Sequence, residues 1–400
     1  MRFGPWHHLH AAADAAPPTS GVLQVRREHG LTDYPRGKSA MILYAPADDL
    51  RAACAALAAA HPRAPWLCRF NAEPLPNHAE AAARLIADFA ARFGGPPILP
   101  VATLADPERT WEPSVARPQV DRAFVDAHLA RWPALLGRPF AVLTGGLRSL
   151  NLQIDAVVAR IAVESPSSLR REAALLRAMQ ARVRVPRVID VSDEVLLLEY
   201  VAHAELPASE VAGERVGATS AAIHGVPQIG CGQLGDDATI AEPFTSALAA
   251  LHAWIEPALR GLAGQRLGPL TAAIEARWAR DAAAMADACQ ACVLVHGDFK
   301  PANVKWIPAT REVLVLDWEF AWAGPALCDV GQLLRWDPPP AFVAGFERAY
   351  LAGGGHLPDD WQSLAASLDL FNLVNFLDVP EPRPRRSEDV LARIARTLAL

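Results

Sequence analysis

Lysine is almost missing from this chain: Lys38, Lys300 and Lys305 are the only three among 38 basic residues. Alanine is abundant beside that arginine excess, so the imbalance reads as compositional bias rather than chemistry. The sequence also lacks any apolar run long enough to cross a bilayer, and its first residues lack a secretory hydrophobic stretch. Both absences lead to the expectation of a cytoplasmic protein without a membrane partner. A disulfide framework is missing too, since six cysteines are scattered over 400 residues. Cys289-Gln-Ala-Cys292 is a C-x-x-C with no second pair, which favours two ordinary buried thiols over a zinc or redox site. Nor is there a basic balance. The net charge of −6 argues against a protein that coats nucleic acid. His7, His8 and His10 are read as part of a mobile terminus rather than a metal site. What remains is a globular chain, 52% hydrophobic and 20% charged, with length for two or three domains.

One stretch carries dense chemical information. Val293-Leu-Val-His-Gly-Asp-Phe-Lys-Pro-Ala-Asn-Val304 is followed by Val313-Leu-Val-Leu-Asp-Trp-Glu319. Short β-type runs at 293–295 and 313–316 each end on polar residues, so reactive groups emerge at strand ends. Val304–Ile307 and Val313–Leu316 flank Pro-Ala-Thr-Arg-Glu and read as a hairpin. That places Asp298, Asn303 and Asp317 close together. Hard oxygen donors from Asn303 and Asp317 suit Mg2+, which takes few protein carboxylates and keeps water and phosphate. Asp298 then remains to accept a proton from a hydroxyl, and Lys300 to reach a transferring phosphate. A strand end decorated with polar turn residues is the plainer alternative, and a single Asp would fit it. The ordered set does not.

His296-Gly-Asp-Phe-Lys-Pro-Ala-Asn303 and Leu316-Asp-Trp-Glu319 resemble the catalytic-loop and metal motifs of the aminoglycoside phosphotransferase and choline kinase-like family, whose fold is similar to that of protein kinases. The resemblance implies Asp298 as catalytic base, Asn303 and Asp317 as Mg2+ ligands, and ATP or GTP as phosphate donor. Asp329, in Gly324-Pro-Ala-Leu-Cys-Asp-Val330, matches a later family Asp with a structural role.

The fold class implied is α+β, a bilobal protein-kinase-like phosphotransferase preceded by a small α+β domain. Residues 1–110 are assigned to that small domain. Its first 17 or so show no periodicity and are expected to be poorly ordered. Strands are read at 21–26, 39–44 and 66–70, and helices from Asp48 or Asp49 to Ala59 and from Asn77 to Phe93, the last ended by Gly94. Gly21-Val-Leu with Ile42-Leu-Tyr-Ala-Pro-Ala-Asp-Asp-Leu50 resembles the GIY-YIG nuclease-like fold. Leu23, Pro46 and Ala53 stand where that family has its Tyr, Gly and Arg, and Glu80 is the nearest candidate for its metal-binding Glu. The resemblance therefore implies a nuclease-inactive domain.

A Pro-rich segment supplies the linker, 111–118, followed by an N-lobe at 119–203 and a mainly helical C-lobe at 204–400. Helical spacing covers Val120–Leu136. Phe140-Ala-Val-Leu-Thr-Gly-Gly-Leu then forms strand and turn. By resemblance, Gly145 and Gly146 cover phosphates with their backbone N–H groups; by itself a Gly-Gly hairpin is only a hairpin. Val157–Ile161 places Arg160 where kinases carry a cation for the nucleotide phosphates, and Glu172 is its orienting partner. A surface ion pair is the alternative. Val185–Ile189 and Val195–Val201 follow as strands, and by resemblance the latter is the hinge, with Glu199 and Val201 offering backbone groups to the nucleotide base. Helical patterns then run over 208–224, 240–264, 268–291, 341–352, 359–377 and 385–398.

The function implied is Mg2+-dependent transfer of a γ-phosphoryl group from ATP or GTP to a hydroxyl of a small molecule. Rivals are a catalytically weak kinase-like binding module and a nucleic-acid-associated protein acting through its N-terminal domain. Residues 1–118 carry 12 basic and 11 acidic groups, which gives no basic footprint for the latter. Residues 119–400 carry 26 basic and 33 acidic groups. That excess could suit a cationic acceptor, but surface charge is a poor guide to a pocket, so aminoglycoside, choline, amino alcohol and sugar stay open. Trp306, Trp318, Trp322 and Trp336 could cage a quaternary ammonium, although packing is the commoner role of buried Trp.

Overall fold

The computed structural model describes residues 2–61, 64–73, 77–99, 103–104, 111–112, 119–143, 149–162 and 167–400. The chain divides into two compact units, Met1–Ala102 and Thr103–Leu400.

In the first unit, four antiparallel strands lie in the order His7–His8, Trp66–Asn71, Gly21–Arg27, Met41–Ala47. Leu23 and Val25 alternate out of the Gly21–Arg27 strand into a core with Ile42, Trp66, Cys68, Leu50 and Cys54. Helix Leu50–Ala60 starts where the Asp49 carboxylate accepts from the Ala52 N–H, and helix His78–Phe93 is capped by Asn77 and ended by Gly94 at φ 83°. The expectation of a poorly ordered start is corrected. His7–His8 is an edge strand and Leu9–Ala15 a helix that buries Leu9 and Ala12. Alanine at helical spacing is too weakly apolar to reveal such a face in the sequence, although it packs as well as a larger residue when helices approach closely.

The division falls ahead of the linker expected at 111–118. Leu104 and Trp111 are buried in the main core of the second unit, and the Leu104 N–H donates to the Leu206 carbonyl at 2.9 Å. Glu112 accepts from the N–H groups of Arg385 and Arg386 at 3.0 and 3.2 Å, so it caps the open N-terminus of helix Pro384–Ala399. Residues 113–118 lie outside the described residues.

The N-lobe of the second unit is a five-stranded antiparallel sheet, ordered Val188–Val191, Val195–Glu199, Val157–Ala162, Ser149–Ile154, Ala141–Val142. Its Val195-Leu-Leu-Leu run is continuous because both faces are covered. Val195 and Leu197 pack with Val125 and Leu129, while Leu196 and Leu198 join Leu169 and Leu176 of helix Ser167–Met179. The helix expected over 120–136 is shorter, spanning Arg122–His128 with a 3-10 turn at Pro133–Leu135. Pro133 has no N–H to continue it.

Helices Glu210–His224, Ala247–Arg260, Leu270–Ala288, Leu327–Leu334, Pro340–Ala352, Trp361–Leu377 and Pro384–Ala399 build the C-lobe. The first crosses Pro340–Ala352 closely: a Cβ added at Gly213 or Gly217 would sit 2.0 or 2.3 Å from the carbonyl oxygens of Phe342 or Phe346. The helix expected over 240–264 is corrected as well. Ile240–Phe244 is a strand paired with Cys231–Leu234, and the helix begins only after Ser246, whose hydroxyl accepts from the Ala249 N–H. Pro243 cannot supply a helical donor there.

Candidate active site

Strand Val293–Val295 pairs with Trp322–Gly324, while Val304–Ile307 and Glu312–Val315 form the expected hairpin, with Val304 opposite Val315. The Leu316 N–H donates to the Asn303 carbonyl at 2.8 Å, which brings the two polar strand ends together. Between them the chain turns at Gly297, φ 79°. A Cβ there would lie 2.1 Å from the Phe320 carbonyl oxygen, so only glycine fits.

The turn is held from beneath by a buried carboxylate. Asp329 accepts from the backbone N–H groups of His296 at 2.7 Å and Gly297 at 2.9 Å, and from His224 Nε2 at 3.2 Å. The Tyr350 hydroxyl contacts His224 Nδ1 at 2.9 Å. One turn further along the same helix, Gln332 accepts from the Phe299 N–H and donates to the Gly297 carbonyl. His296 is fixed in one tautomer, since Nε2 donates to the Leu316 carbonyl and Nδ1 accepts from the Asp298 N–H. Replacing Asp329 strands two backbone donors and an imidazole in the interior. Asp329→Ala is expected to lower unfolding stability by about 3–5 kcal/mol, read by urea denaturation. A loss under 1 kcal/mol would remove Asp329 from this role.

On the loop itself, Lys300 Nζ lies 2.9 Å from Asp298 Oδ2, and Asn303 Nδ2 donates to the same oxygen at 2.8 Å. Asn303 Nδ2 also donates to the Asp298 carbonyl, which leaves its amide oxygen turned the other way. Asp317 stands at φ 65°, a left-handed conformation that costs a non-glycine residue energy and is found at functional positions.

Opposite the loop, the N-lobe strand delivers Arg160. Its guanidinium lies 3.1 Å from Glu172, 2.5 Å from Asp317 and 3.5 Å from Glu319. Burial works to lower the Arg160 pKa, but the three carboxylates outweigh it and hold the group charged. The pair of acids divides. Burial pushes Glu172 up despite Arg160, whereas for Asp317 the pull of Arg160, with help from Lys300, exceeds burial and holds its carboxyl below the usual range.

The expected residues fall into three groups. Asp298, Lys300 and Asn303 touch one another, and Glu172 and Asp317 both pair with Arg160. Glu199 ends the strand Val195–Glu199, and Val201 follows two residues later. The Glu199 carboxylate is held by Arg184 at 2.9 Å and by the Arg187 N–H, and the Val201 carbonyl accepts from His203 Nδ1 at 2.7 Å. Gly145 and Gly146 lie outside the described residues. Sequence reading missed the supporting groups His224, Gln332, Tyr350 and Glu319. Gln332 had a signal, because it lies three residues after Asp329 on one helix face. Among the described residues, no cluster of three or more His, Cys, Asp or Glu side chains has a metal-holding arrangement, and no helix is long and apolar enough to cross a membrane.

A five-stranded antiparallel lobe and a helical lobe carrying the Asp298 loop and the Asp317 turn define a bilobal, protein-kinase-like fold. The family model described as "APH: Phosphotransferase enzyme family" matches residues 138–366, more than half the chain, and the protein belongs to that family. Solved structures agree at the level of fold. Aminoglycoside phosphotransferase APH(4)-Ia is similar at 18% identity over 70% of this chain and 99% of its own, with a TM-score of 0.53. A choline/ethanolamine kinase family protein from Mesorhizobium loti is similar at 19% identity over 69% and 93%, with a TM-score of 0.51. Macrolide 2'-phosphotransferase type I gives 20% identity over 70% and 98%, with a TM-score of 0.51. No curated protein matches the sequence. The family match leaves the first unit out, and the comparisons lend no support to the GIY-YIG resemblance read from its sequence.

Proposed function

We propose that this phosphotransferase moves the γ-phosphoryl group of ATP or GTP to a hydroxyl of a small molecule, with Mg2+. The observation that carries the reading is the meeting of Asp298, Lys300 and Asn303 on one loop, joined through the Asn303–Leu316 backbone contact to the turn carrying Asp317. Asp298 takes the proton from the acceptor hydroxyl as its oxygen bonds to the γ-phosphorus and the bond to the leaving nucleoside diphosphate breaks. Lys300 lies close enough to balance charge on the loop. Asn303 and Asp317 fit Mg2+ in donor chemistry: they offer hard oxygens and only one carboxylate, and the Asn303 amide oxygen is the atom not turned toward Asp298. Mg2+ bound there would neutralise phosphate charge. Arg160, oriented by Glu172, would hold the nucleotide phosphates. The hinge backbone at Glu199 and Val201 would meet the base, and Gly145 and Gly146 would cover the phosphates.

The acceptor class is tested by measuring nucleoside diphosphate release from ATP and GTP against aminoglycosides, macrolides, choline, amino alcohols and sugars. Acceptor-dependent release supports the reading, and a nucleotide-binding protein that turns over nothing would favour a binding module. Arg160 gives a graded check. Arg160→Ala is expected to raise KM for nucleotide at least tenfold and to lower stability, because it leaves buried carboxylates unpaired. Arg160→Lys keeps the charge and should lose less. Equal losses in steady-state kinetics would argue for a role other than phosphate positioning.

A further inference from the structure

We infer that Arg171 is a positioning residue that locks the metal-ligand turn to the N-lobe helix, so that the phosphate clamp and the Mg2+ site act as one body. The inference rests on the phosphotransferase reading above and goes beyond it, because Arg171 touches neither Asp317 nor Arg160 in that scheme.

Helix Ser167–Met179 presents two neighbouring side chains to the same turn. Glu172 pairs with Arg160, which pairs in turn with Asp317. Arg171 Nη2 donates to the Glu319 carbonyl at 2.6 Å. Its Nη1 donates to the Leu234 carbonyl at 3.0 Å, at the end of the strand Cys231–Leu234, which pairs with Trp322–Gly324. Arg171 thus grips the turn directly at Glu319, and Glu172 reaches it at Asp317 through Arg160. A single contact fixes a distance, whereas two at separate residues also fix the direction of the turn. Asp317 opens this turn at φ 65°, a conformation that persists only where its surroundings hold it.

The side chain suits the task. A guanidinium offers two N–H edges in a rigid plane and can serve two carbonyls on different segments. An ammonium is a point donor that reaches one well. Arg171 also ties three pieces at once, the N-lobe helix, the Asp317 turn and the C-lobe sheet, so its loss would let the helix and the turn move independently. Glu172 and Arg160 would remain, but their spacing from Asp317 would no longer be held.

The test uses the full chain and three variants. Arg171→Met keeps the apolar stem and removes both hydrogen bonds; Arg171→Lys keeps charge; Arg171→Gln keeps one donor. With the best nucleotide and acceptor, Arg171→Met is expected to raise KM for the magnesium nucleotide about tenfold and to raise the Mg2+ concentration giving half-maximal rate. KM for the acceptor should stay within twofold, and Arg171→Lys should fall between Met and wild type. In parallel, hydrogen exchange should quicken in residues 167–179 and 317–320 together in Arg171→Met. Unchanged Mg2+ dependence, or faster exchange in only one of the two segments, would overturn the inference. Should Arg171→Met fail to fold, the same readouts on Arg171→Lys and Arg171→Gln decide. A wild-type protein that transfers no phosphate would sink the function proposed above, and the exchange arm would still test the tie.

Discussion

Asp298→Asn is expected to lower kcat by about 10²–10⁴ while leaving nucleotide affinity nearly unchanged. Asparagine keeps the size and hydrogen-bonding reach of the side chain, so the loop held by Asp329 and Gln332 should survive. It cannot take a proton from a hydroxyl. The substitution also removes the anion 2.9 Å from Lys300, and that ammonium would then turn toward the phosphates, which favours nucleotide binding rather than opposing it. Steady-state rates paired with calorimetric titration of the nucleotide separate the two effects. A kcat within tenfold of wild type would take Asp298 out of the role of base. Equal losses in rate and nucleotide affinity would instead mean that the loop had collapsed.

Asp317→Ala should abolish the Mg2+ dependence of nucleotide binding. Asn303 alone is a neutral, single-oxygen donor, and Mg2+ sheds its water reluctantly for such a site. There is a second consequence in the opposite direction. Arg160 loses the carboxylate at 2.5 Å, so metal-free nucleotide would meet a less neutralised cation. The expected calorimetric result is a tenfold or greater loss of affinity for magnesium nucleotide, with little difference between titrations in Mg2+ and in EDTA. An unchanged Mg2+ effect in that variant would place the metal elsewhere.

Much of this site was legible because its residues are constrained by type. Gly297 admits no Cβ, and the proposed roles ask for charge at Asp298 and Asp317 and for an amide at Asn303 that can face two ways. Such requirements leave a mark in the sequence at fixed spacing. The Val195–Leu198 run was equally readable, since a strand covered on both faces must be apolar throughout. Illegible features had weaker marks. The Leu9–Ala15 helix uses alanine on its buried face, and alanine recurs everywhere in this chain. Ile240–Phe244 lies among Ala- and Leu-rich helices and was absorbed into their pattern, although Pro243 argued against it. The attachment of Leu104, Trp111 and Glu112 to the second unit depends on partners far away in sequence. Arg171 was unreadable for a further reason: both of its partners are backbone carbonyls, which every residue has.

The first unit adds a separable question. Its core and antiparallel sheet form a compact body of its own. Its presence does not alter what is asked of Asp298 and Asp317.

The most direct measurement is transfer of labelled γ-phosphate from ATP or GTP into a panel of hydroxyl-bearing small molecules. Wild-type protein would be assayed beside Asp298→Asn, with and without Mg2+. The expected result is a phosphorylated acceptor formed by wild type only when Mg2+ is present, and formed at least a hundredfold more slowly by Asp298→Asn. Labelled acceptor that forms equally in both proteins, or wild type that binds nucleotide yet labels no member of a broad panel, would contradict the account.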